Sequence, residues 1–214
     1  MTPSELKVQF NIELDAVSSG AAPGFTDAEI NALFIKVERD VIEAAVKSKD
    51  FDSIYTLVET AKGSLDSGKS YANSYKVLID TFADNFLYYV TSRTYVNRTN
   101  PTFTGWVEND LIQRDVADKF ATTGFNYPYF KNPVLYLEQW DAIDGFPSIV
   151  VMLDYYSIPA AVAENVELTY IRIPDTINVA STTSELPSYL HKTLVTMAVQ
   201  EAVKSLKIAK VSTQ

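Results

Sequence analysis

The most regular stretch of the chain is TDAEINALFIKVERDVIEAAVKS, residues 26–48. Thr26 suits a helix N-cap, and Glu29, three positions later, completes a capping box in which each side chain accepts a hydrogen bond from the backbone of the other. The apolar residues that follow have the spacing of one helical face: Ile30, Leu33, Phe34, Val37, Val41, Ala44 and Ala45. This pattern predicts an amphipathic helix that buries one face in the core.

On the N-terminal side of this helix, residues 1–24 are predicted to form an arm. Residues 4–17 have the pattern of a short helix with Leu6, Phe10 and Leu14 on one face. The small-residue sequence SSGAAPG, residues 18–24, is predicted to be a linker. Arms of this kind are weakly ordered alone and often dock on a neighbour.

On the C-terminal side, we expect a second, shorter helix over residues 51–62 and a loop over 63–74. Residues 106–121 are predicted to be a short polar helix or an ordered loop. Asp144-Gly145 is a turn signal that predicts a hairpin between the strands 133–141 and 148–156. β-branched and aromatic residues predict strands within 75–81, 88–96, 133–141, 148–156 and 165–174.

The other strong helical signal closes the chain, over residues 186–210. Pro187 fits a first helical turn, and Ser184 is a candidate cap. Apolar residues follow two adjoining faces of this helix, and a helix of that kind packs against more than one partner.

The order of helices, then strands, then a closing helix predicts an α+β fold. We expect a helical layer formed by the N-terminal and C-terminal helices, packed with a mostly antiparallel β-rich middle region. The predicted parts of this single compact unit are the arm 1–24, the helical part 25–66 plus 186–214, and the β-rich part 67–185.

Composition excludes several classes of function. The chain has 214 residues, with 27 Asp and Glu against 18 Lys and Arg, and its net charge of −9 disfavours a protein that grips nucleic acid through phosphates. The absence of cysteine excludes disulfides, thiol catalysis and cysteine-based metal sites. The single histidine, His191, cannot build a zinc site of the His₂ or His₃ type, and we expect it to be structural or to lie at an interface.

The beginning of the sequence, MTPSELKVQFNIEL, lacks the basic leader and apolar core of a secretory signal. No apolar run approaches the roughly 18 residues that a membrane span requires. We therefore expect no association with a membrane.

Residues 63–70 match the phosphate-loop pattern G-x-x-x-x-G-K-[ST]. An apolar segment that ends at Asp154 resembles the strand and aspartate that hold the metal in such enzymes. The surroundings favour a polar surface loop, because polar residues precede the motif and no apolar stripe follows it. A P-loop nucleotide hydrolase stays as an alternative function, and its defining residues would be Gly63, Gly68, Lys69, Ser70 and Asp154.

Three parts of the chain together resemble a known family. They are the capped helix GFTDAEINALFIKVERDVIEA (24–44), the segment FNYPYFKNP (125–133) with the strands that end in TYIRIPDTINV (169–179), and SELPSYLHKTLVTMAVQEAVKSL (184–206). They resemble the neck or ring proteins, the head–tail connectors, of short-tailed crAss-like bacteriophages. The strongest likeness is the join Tyr170–Val203, with its pattern E-L-P-x-x-L-H-x-x-[LIV]-V-x-x-A-V, and the second is Phe25–Val41.

The resemblance implies a structural virion protein with an adaptor-like fold, in which helices pack on a β-rich domain, and it implies no enzymatic activity and no cofactor or metal. Family members assemble as homo-oligomeric rings, typically of twelve copies, between the portal and the tail. The implied partners are further copies of the chain, the portal protein, neighbouring neck or tail rings, and double-stranded DNA that passes without sequence-specific binding. The implied location is the virion neck or tail, after synthesis in the bacterial host cytoplasm.

Within this interpretation the closing helix is the candidate for contacts between subunits, because two apolar faces suit packing within and between copies. Four lysines and one glutamate from residue 187 onward give +3, which leaves −12 for the rest of the chain. We therefore expect this helix to reach toward an acidic surface of a neighbour. The interface candidates are Leu190, Leu194, Val195, Val199, Leu206, Lys204 and Lys207.

A third interpretation is a peripheral glycan-binding tail protein. Its motivation is a set of aromatic residues in the middle of the chain, and burial of the same residues in a sheet is the competing expectation. They are Tyr127, Tyr129, Phe130 and Trp140.

Overall fold

A computed structural model describes residues 1–18, 24–67, 74–83, 85–99, 102–113, 115–116, 131–139, 147–152 and 162–211. The fold class is α+β, as predicted, with helices at both ends and strands in the middle. The chain divides into two compact units. Unit 1 is Met1–Val58 with Pro174–Gln214, and unit 2 is Glu59–Ile173.

The helices belong to unit 1. They are α1 (Pro3–Ser18), α2 (Asp27–Ser48) and α3 (His191–Val211), with short 3-10 helices at Phe51–Leu57 and Ser188–Leu190. Their buried residues form the core of this unit: Leu6, Phe10, Leu14, Ile30, Phe34, Val37, Ile42, Ala45, Leu194, Val195, Ala198, Val199 and Ala202.

The predicted capping box at the start of α2 is confirmed. The Thr26 hydroxyl accepts from the Glu29 backbone N–H at 3.3 Å, and the Glu29 carboxylate accepts from the Thr26 N–H at 2.8 Å. The predicted apolar face is correct in the first half of the helix, but toward the end Ile42 is buried and Ala44 is exposed. The buried stripe therefore drifts around the helix, and it includes the carboxyl group of Glu38.

Helix α1 packs on α3 of its own chain. The Phe10 ring contacts those of Phe25 and Phe34, with centroids 6.0 and 5.9 Å apart. Lys7 forms an ion pair with Asp27 at 2.6 Å. The predicted helical face of the arm is thus correct, and the arm is docked within its own unit because that face completes the core between the other helices.

The chain returns to unit 1 through residues 174–187, which pack along α2. The Val179 N–H donates to Asn31 Oδ1 at 2.9 Å, and the Ser184 hydroxyl donates to Glu38 Oε1 at 2.5 Å. The sequence prediction assigned this segment to the β-rich part, with boundaries at 66/67 and 185/186. The units divide at 58/59 and 173/174 because the first strand begins earlier and the last ends earlier than those boundaries.

Unit 2 contains the strands and a short 3-10 helix, Ile79–Thr81. The strands of its described residues are β1 (Val58–Ser64, whose first residue is assigned to unit 1), β2 (Asp66–Ser67), β3 (Ser74–Leu78), β4 (Phe86–Thr99), β5 (Thr102–Glu108), β6 (Asp110–Leu111), β7 (Val134–Gln139), β8 (Pro147–Met152) and β9 (Val162–Arg172).

These strands form two sheets, with the orders β1-β9-β4-β5 and β2-β3-β8-β7-β6. The pairing is antiparallel between β4 and β9, β4 and β5, β3 and β8, and β7 and β8, and it is parallel between β6 and β7. One apolar cluster takes side chains from both sheets, including Val96, Leu168, Leu135 and Ile149. The sheets therefore share a core within unit 2.

A buried polar cluster fixes the corner where the chain leaves β5 for β6. The Thr94 hydroxyl donates to Asn109 Oδ1 at 2.8 Å, and Asn109 Nδ2 donates to the Ser92 hydroxyl at 2.8 Å. The Asn109 N–H also donates to the Ser92 carbonyl oxygen at 3.1 Å. Because these groups satisfy one another, the chain can change sheets without leaving a buried polar atom unpaired at this corner.

Several element predictions are wrong. Residues 51–62 form a 3-10 helix followed by β1, and Gly63 and Ser64 continue that strand. Trp106–Glu108 belong to β5 instead of a polar helix or loop, because they pair with Tyr95, Thr94 and Arg93 of β4. The predicted pairing of 133–141 with 148–156 is confirmed, while its turn at 144–145 lies outside the described residues.

In the part of the chain that the structure describes, no helix combines the length and the apolarity that crossing a membrane would require.

Among the described glycines, Gly63 has the least room for an added methyl group. A Cβ there would lie 2.7 Å from Cδ1 of Phe82, whose ring packs over the glycine. We expect Gly63→Ala to lower the free energy of unfolding of unit 2 by about 1–3 kcal/mol, because the ring must move. Gly105→Ala is the matched control, since its Cβ would lie an ordinary 3.7 Å from Phe103. Urea unfolding followed by tryptophan fluorescence measures both, and equal losses would contradict the packing role of Gly63.

Candidate functional site

The outer side of α1 carries an exposed apolar ridge, defined here as Val8 and Ile12. Both side chains are 57% exposed, although the opposite side of the same helix is buried. They lie four residues apart and are therefore neighbours on the helix surface. Exposed acidic residues lie three positions before and after the ridge, at Glu5 and Asp15. The ridge is thus an apolar surface with an acidic rim.

An open depression of about 320 Å³ adjoins this ridge. Its lining combines apolar and polar side chains, from Met1, Ser4, Glu5, Val8 and Gln9. This volume is at the low end of pockets that hold small molecules. It provides room for a large side chain from another molecule.

A second exposed surface lies where the chain enters α3. We define it as the tyrosine patch, formed by Tyr189 and Lys192 at the start of α3 and by Asp52 and Tyr55, which lie beside the Ser53 that Tyr189 contacts. The two tyrosines are 62% and 61% exposed. The Tyr189 hydroxyl donates to the Ser53 carbonyl oxygen at 3.1 Å, which fixes the orientation of a ring that solvent still reaches. Exposed aromatic rings with a fixed orientation are common anchors of protein interfaces.

The predicted interface residues of α3 have two different environments. Leu194, Val195 and Val199 are buried within unit 1, where they pack inside the chain itself. Leu190 and Leu206 are half-buried. A residue needs a solvent-exposed side chain to contact a neighbouring copy. Leu194, Val195 and Val199 therefore stabilise the core of their own copy.

One of the two predicted basic interface residues of α3, Lys204, has an acidic partner within its own copy. Lys204 donates to Glu201 Oε1 at 2.5 Å, and Lys36 of α2 donates to the other oxygen of the same carboxylate. The hydrogen bonds from these two ammonium groups lower the pKa of Glu201 to about 2. The Lys36–Glu201 ion pair joins α2 to α3, whereas Lys204 binds Glu201 within α3. The side chain of Lys207 lies outside the described residues.

The carboxyl group of Glu38 is buried in unit 1, and its pKa is strongly raised. Only 2% of the residue is exposed, and this burial raises the pKa of Glu38 to about 7. The hydrogen bond from the Ser184 hydroxyl favours the charged form and offsets part of the effect, whereas the nearby charge of Glu185 adds to it. Glu38 is therefore an acid that changes its charge close to neutral pH.

His191 is held in place at the start of α3, which agrees with the structural role expected from the sequence. Its Nδ1 lies 2.8 Å from the Met1 amino nitrogen, and its Nε2 lies 2.9 Å from the Leu186 carbonyl oxygen. An ammonium group can only donate, so Nδ1 accepts and Nε2 carries the proton. Burial lowers the pKa of His191, which favours this neutral form.

The phosphate-loop motif is only partly within the described residues. Gly63 lies inside β1 rather than in a loop, and its lack of a side chain makes room for Phe82. The other defining residues lie outside the described residues: Gly68, Lys69, Ser70 and Asp154. The aromatic residues of the glycan-binding interpretation lie outside them as well: Tyr127, Tyr129, Phe130 and Trp140.

The sheet of unit 2 that contains β5 has a charged aromatic cluster on its solvent side. The Arg93 guanidinium and the Lys62 ammonium lie 5.2 and 5.4 Å from the centroid of Trp106. Both cations also form ion pairs with Glu167, at 2.5 and 3.3 Å. The Tyr95 ring meets that of Trp106 edge-on at 5.4 Å. Because one carboxylate binds two cations that also lie over the Trp106 ring, this cluster stabilises the packing of neighbouring strands.

The two surfaces of unit 1 and the Trp106 cluster were missed by the sequence analysis. A second apolar pair with i, i+4 spacing, Val8 and Ile12, was available in the arm but was hidden behind the stronger Leu6, Phe10 and Leu14 pattern. Among the described residues, no three His, Asp or Glu side chains come together as metal ligands.

Comparison of the sequence with known proteins does not assign the chain to a family. No protein-family model matches the chain, and a search of curated proteins finds no match. The family resemblance stated from the sequence therefore stays a prediction.

The raised pKa of Glu38 predicts how stability depends on pH. The folded state keeps the proton up to about pH 7, whereas an ordinary glutamate loses it near 4.5. Folding therefore loses stability as pH rises between these values, by up to roughly 3 kcal/mol. We expect Glu38→Gln to remove most of this loss and to be more stable than the natural chain at pH 8.

Urea unfolding at pH 5 and pH 8, followed by helical circular dichroism, measures this difference. Glu43→Gln, an exposed change on the same helix, is the matched control and should keep the pH dependence of the natural chain. A Glu38→Gln variant that loses stability between pH 5 and 8 as steeply as the natural chain would contradict the assignment.

Proposed function

We propose that this chain is a structural virion protein, a subunit of a homo-oligomeric ring in the neck of a short-tailed bacteriophage. The ring would lie between portal and tail and enclose the channel for double-stranded DNA. Its partners would be further copies of the chain, twelve in the family that it resembles, together with the portal protein and neighbouring rings. In this proposal the chain has no catalytic role.

The observation that carries the proposal is the exposed apolar ridge of α1. A helix with one face in its own core and apolar side chains on its opposite face leaves a surface whose burial is favourable. The tyrosine patch offers a second surface with the composition of an interface. A subunit that must contact copies on two sides needs two such surfaces.

The proposed location in a phage neck is supported by two stretches of sequence that resemble neck or ring proteins. Phe25–Val41 contains the first half of α2, and Tyr170–Val203 runs from β9 through the return segment into α3. Those stretches form the contacts that hold α2 to the return segment, at Asn31 with Val179 and at Glu38 with Ser184. The α+β fold agrees with the helices and β-rich domain that the resemblance implies.

The proposal predicts where the chain is found in a phage particle. Purified virions of the phage that encodes it should contain the chain in a fixed ratio to the portal protein. A cryo-electron microscopy reconstruction of the neck should accommodate unit 1 in a closed ring around the channel. Absence from the virion would overturn the proposal, and a position at the tail periphery would favour the glycan-binding interpretation instead.

The nucleotide hydrolase alternative has its own test on the intact protein. We expect no saturable binding of ATP with Mg²⁺ in titration calorimetry, and no difference between the natural chain and Lys69→Ala. Lys69→Met keeps a long apolar side chain without the charge and serves as the matched variant. Magnesium-dependent binding that both substitutions abolish would replace the connector proposal with the hydrolase.

A further inference from the structure

We propose that His191 forms an acid-sensitive latch: the neutral imidazole holds Met1 against the start of α3, and protonation of the ring releases Met1 and the first turn of α1. The latch is defined here as the contacts of the His191 ring with Met1 and Leu186. All three residues belong to unit 1 of one copy. The inference therefore concerns the single chain and does not depend on the ring of the proposed function.

The two nitrogens of the His191 ring have opposite hydrogen-bonding requirements. Nε2 lies 2.9 Å from the Leu186 carbonyl oxygen, which can only accept, so Nε2 carries a proton. Nδ1 lies 2.8 Å from the Met1 amino nitrogen, whose ammonium form can only donate. The contact with Met1 therefore requires an unprotonated Nδ1. A second proton on the ring would place an N–H and a positive charge against the ammonium group, which breaks this contact.

The Met1 end of the arm is held by polar contacts, whereas the helix itself is held by apolar ones. Besides the latch, the Thr183 hydroxyl donates to the Met1 carbonyl oxygen at 2.9 Å. Further along α1, Leu6 and Phe10 are fully buried in the core of unit 1. Because protonation of the ring acts on the polar end alone, we expect release of the first turn while the rest of α1 stays docked.

The surroundings of the ring favour its neutral form. His191 is 5% exposed, and this burial lowers its pKa, as does the charge of the Met1 ammonium group. The backbone of Leu186 and of Ser184 acts in the opposite direction. The elements packed around the ring carry further charged groups, which are Glu5 and Lys7 on α1, Glu38 on α2, Asp175 and Glu185 on the return segment, and Lys192 on α3.

The direction of the response separates His191 from the nearby acids. A histidine that is neutral in the closed form loses its stabilising effect as pH falls below its ordinary pKa of 6.5. Burial raises the pKa of Glu38 to about 7, so Glu38 gains the proton that its site favours as pH falls, and it stabilises the fold. The hydrogen bond from the Thr2 backbone lowers the pKa of Glu5 below 4.5, so Glu5 stays charged at pH 5. Loosening of α1 between pH 7 and pH 5 is therefore the effect of the ring.

Nitrogen NMR of the full-length chain tests the latch directly, because His191 is the single histidine and its ring signals need no separate assignment. At pH 7.5 we expect the signature of a ring with its proton on Nε2. On acidification we expect a titration midpoint below the ordinary 6.5. A proton on Nδ1 at pH 7.5, or a midpoint at or above 6.5, would overturn the inference.

Hydrogen exchange of the Leu6 amide measures the release, because this N–H donates to the Thr2 carbonyl oxygen at 3.1 Å in the first turn of α1. After correction for the intrinsic pH dependence of exchange, its protection should fall at least about fivefold between pH 7 and pH 5. An open form that binds one more proton gains up to about tenfold per pH unit. The Val37 amide, in the middle of α2, should change less, and equal changes at the two amides would overturn the local release.

A matched pair of substitutions identifies the titrating group. The amide of His191→Gln offers one donor and one acceptor without titrating, so protection of Leu6 should stay nearly constant between pH 7 and pH 5. Lys192→Gln changes the adjoining residue and leaves the ring, so it should keep the fall of the natural chain. Circular dichroism checks that both variants fold. A full acid response in folded His191→Gln, or its loss in Lys192→Gln, would overturn the inference. If His191→Gln does not fold, the titration of the natural ring decides.

Discussion

The hydrogen bond between the Ser184 hydroxyl and the buried carboxyl group of Glu38 constrains how the segments of unit 1 pack together. It connects the return segment to the centre of α2, and α3 begins only seven residues after Ser184. Without a polar partner, the Glu38 carboxyl would be an uncompensated buried acid, and burial of such a group is costly. The contact therefore makes the position of the last helix depend on the first half of the chain.

The helical part of the fold was predictable from sequence because its signals are local. The capping box at Thr26 and Glu29, and the spacing of Ile30 and Phe34, specify α2 without reference to any other segment. The strand that contains Gly63 was not predictable in this way. Its preceding residues are compatible with a helix, and only pairing with a distant strand and packing under Phe82 make them extended.

The candidate surfaces were less predictable than the fold, for a related reason. A pattern of apolar residues shows that a helix has a buried face, but it does not show which apolar residues the chain itself covers. Leu194 and Val199 were predicted to lie at an interface, but they are core residues. Val8 and Ile12 were not predicted as surface residues, and both are exposed. Only the packed arrangement of α1 on α3 distinguishes the two sets.

Unit 2 is an insertion in unit 1, because the chain leaves unit 1 at Val58 and re-enters it at Pro174. During synthesis, the strands of unit 2 can pair before the last helix has left the ribosome. Phe10 and Phe34 can contact each other early, but the first two helices must wait for α3, which begins about 140 residues after α2 ends. Unit 1 is therefore completed last, and its exposed helices are the region where nascent chains of this protein would first associate wrongly or meet a chaperone.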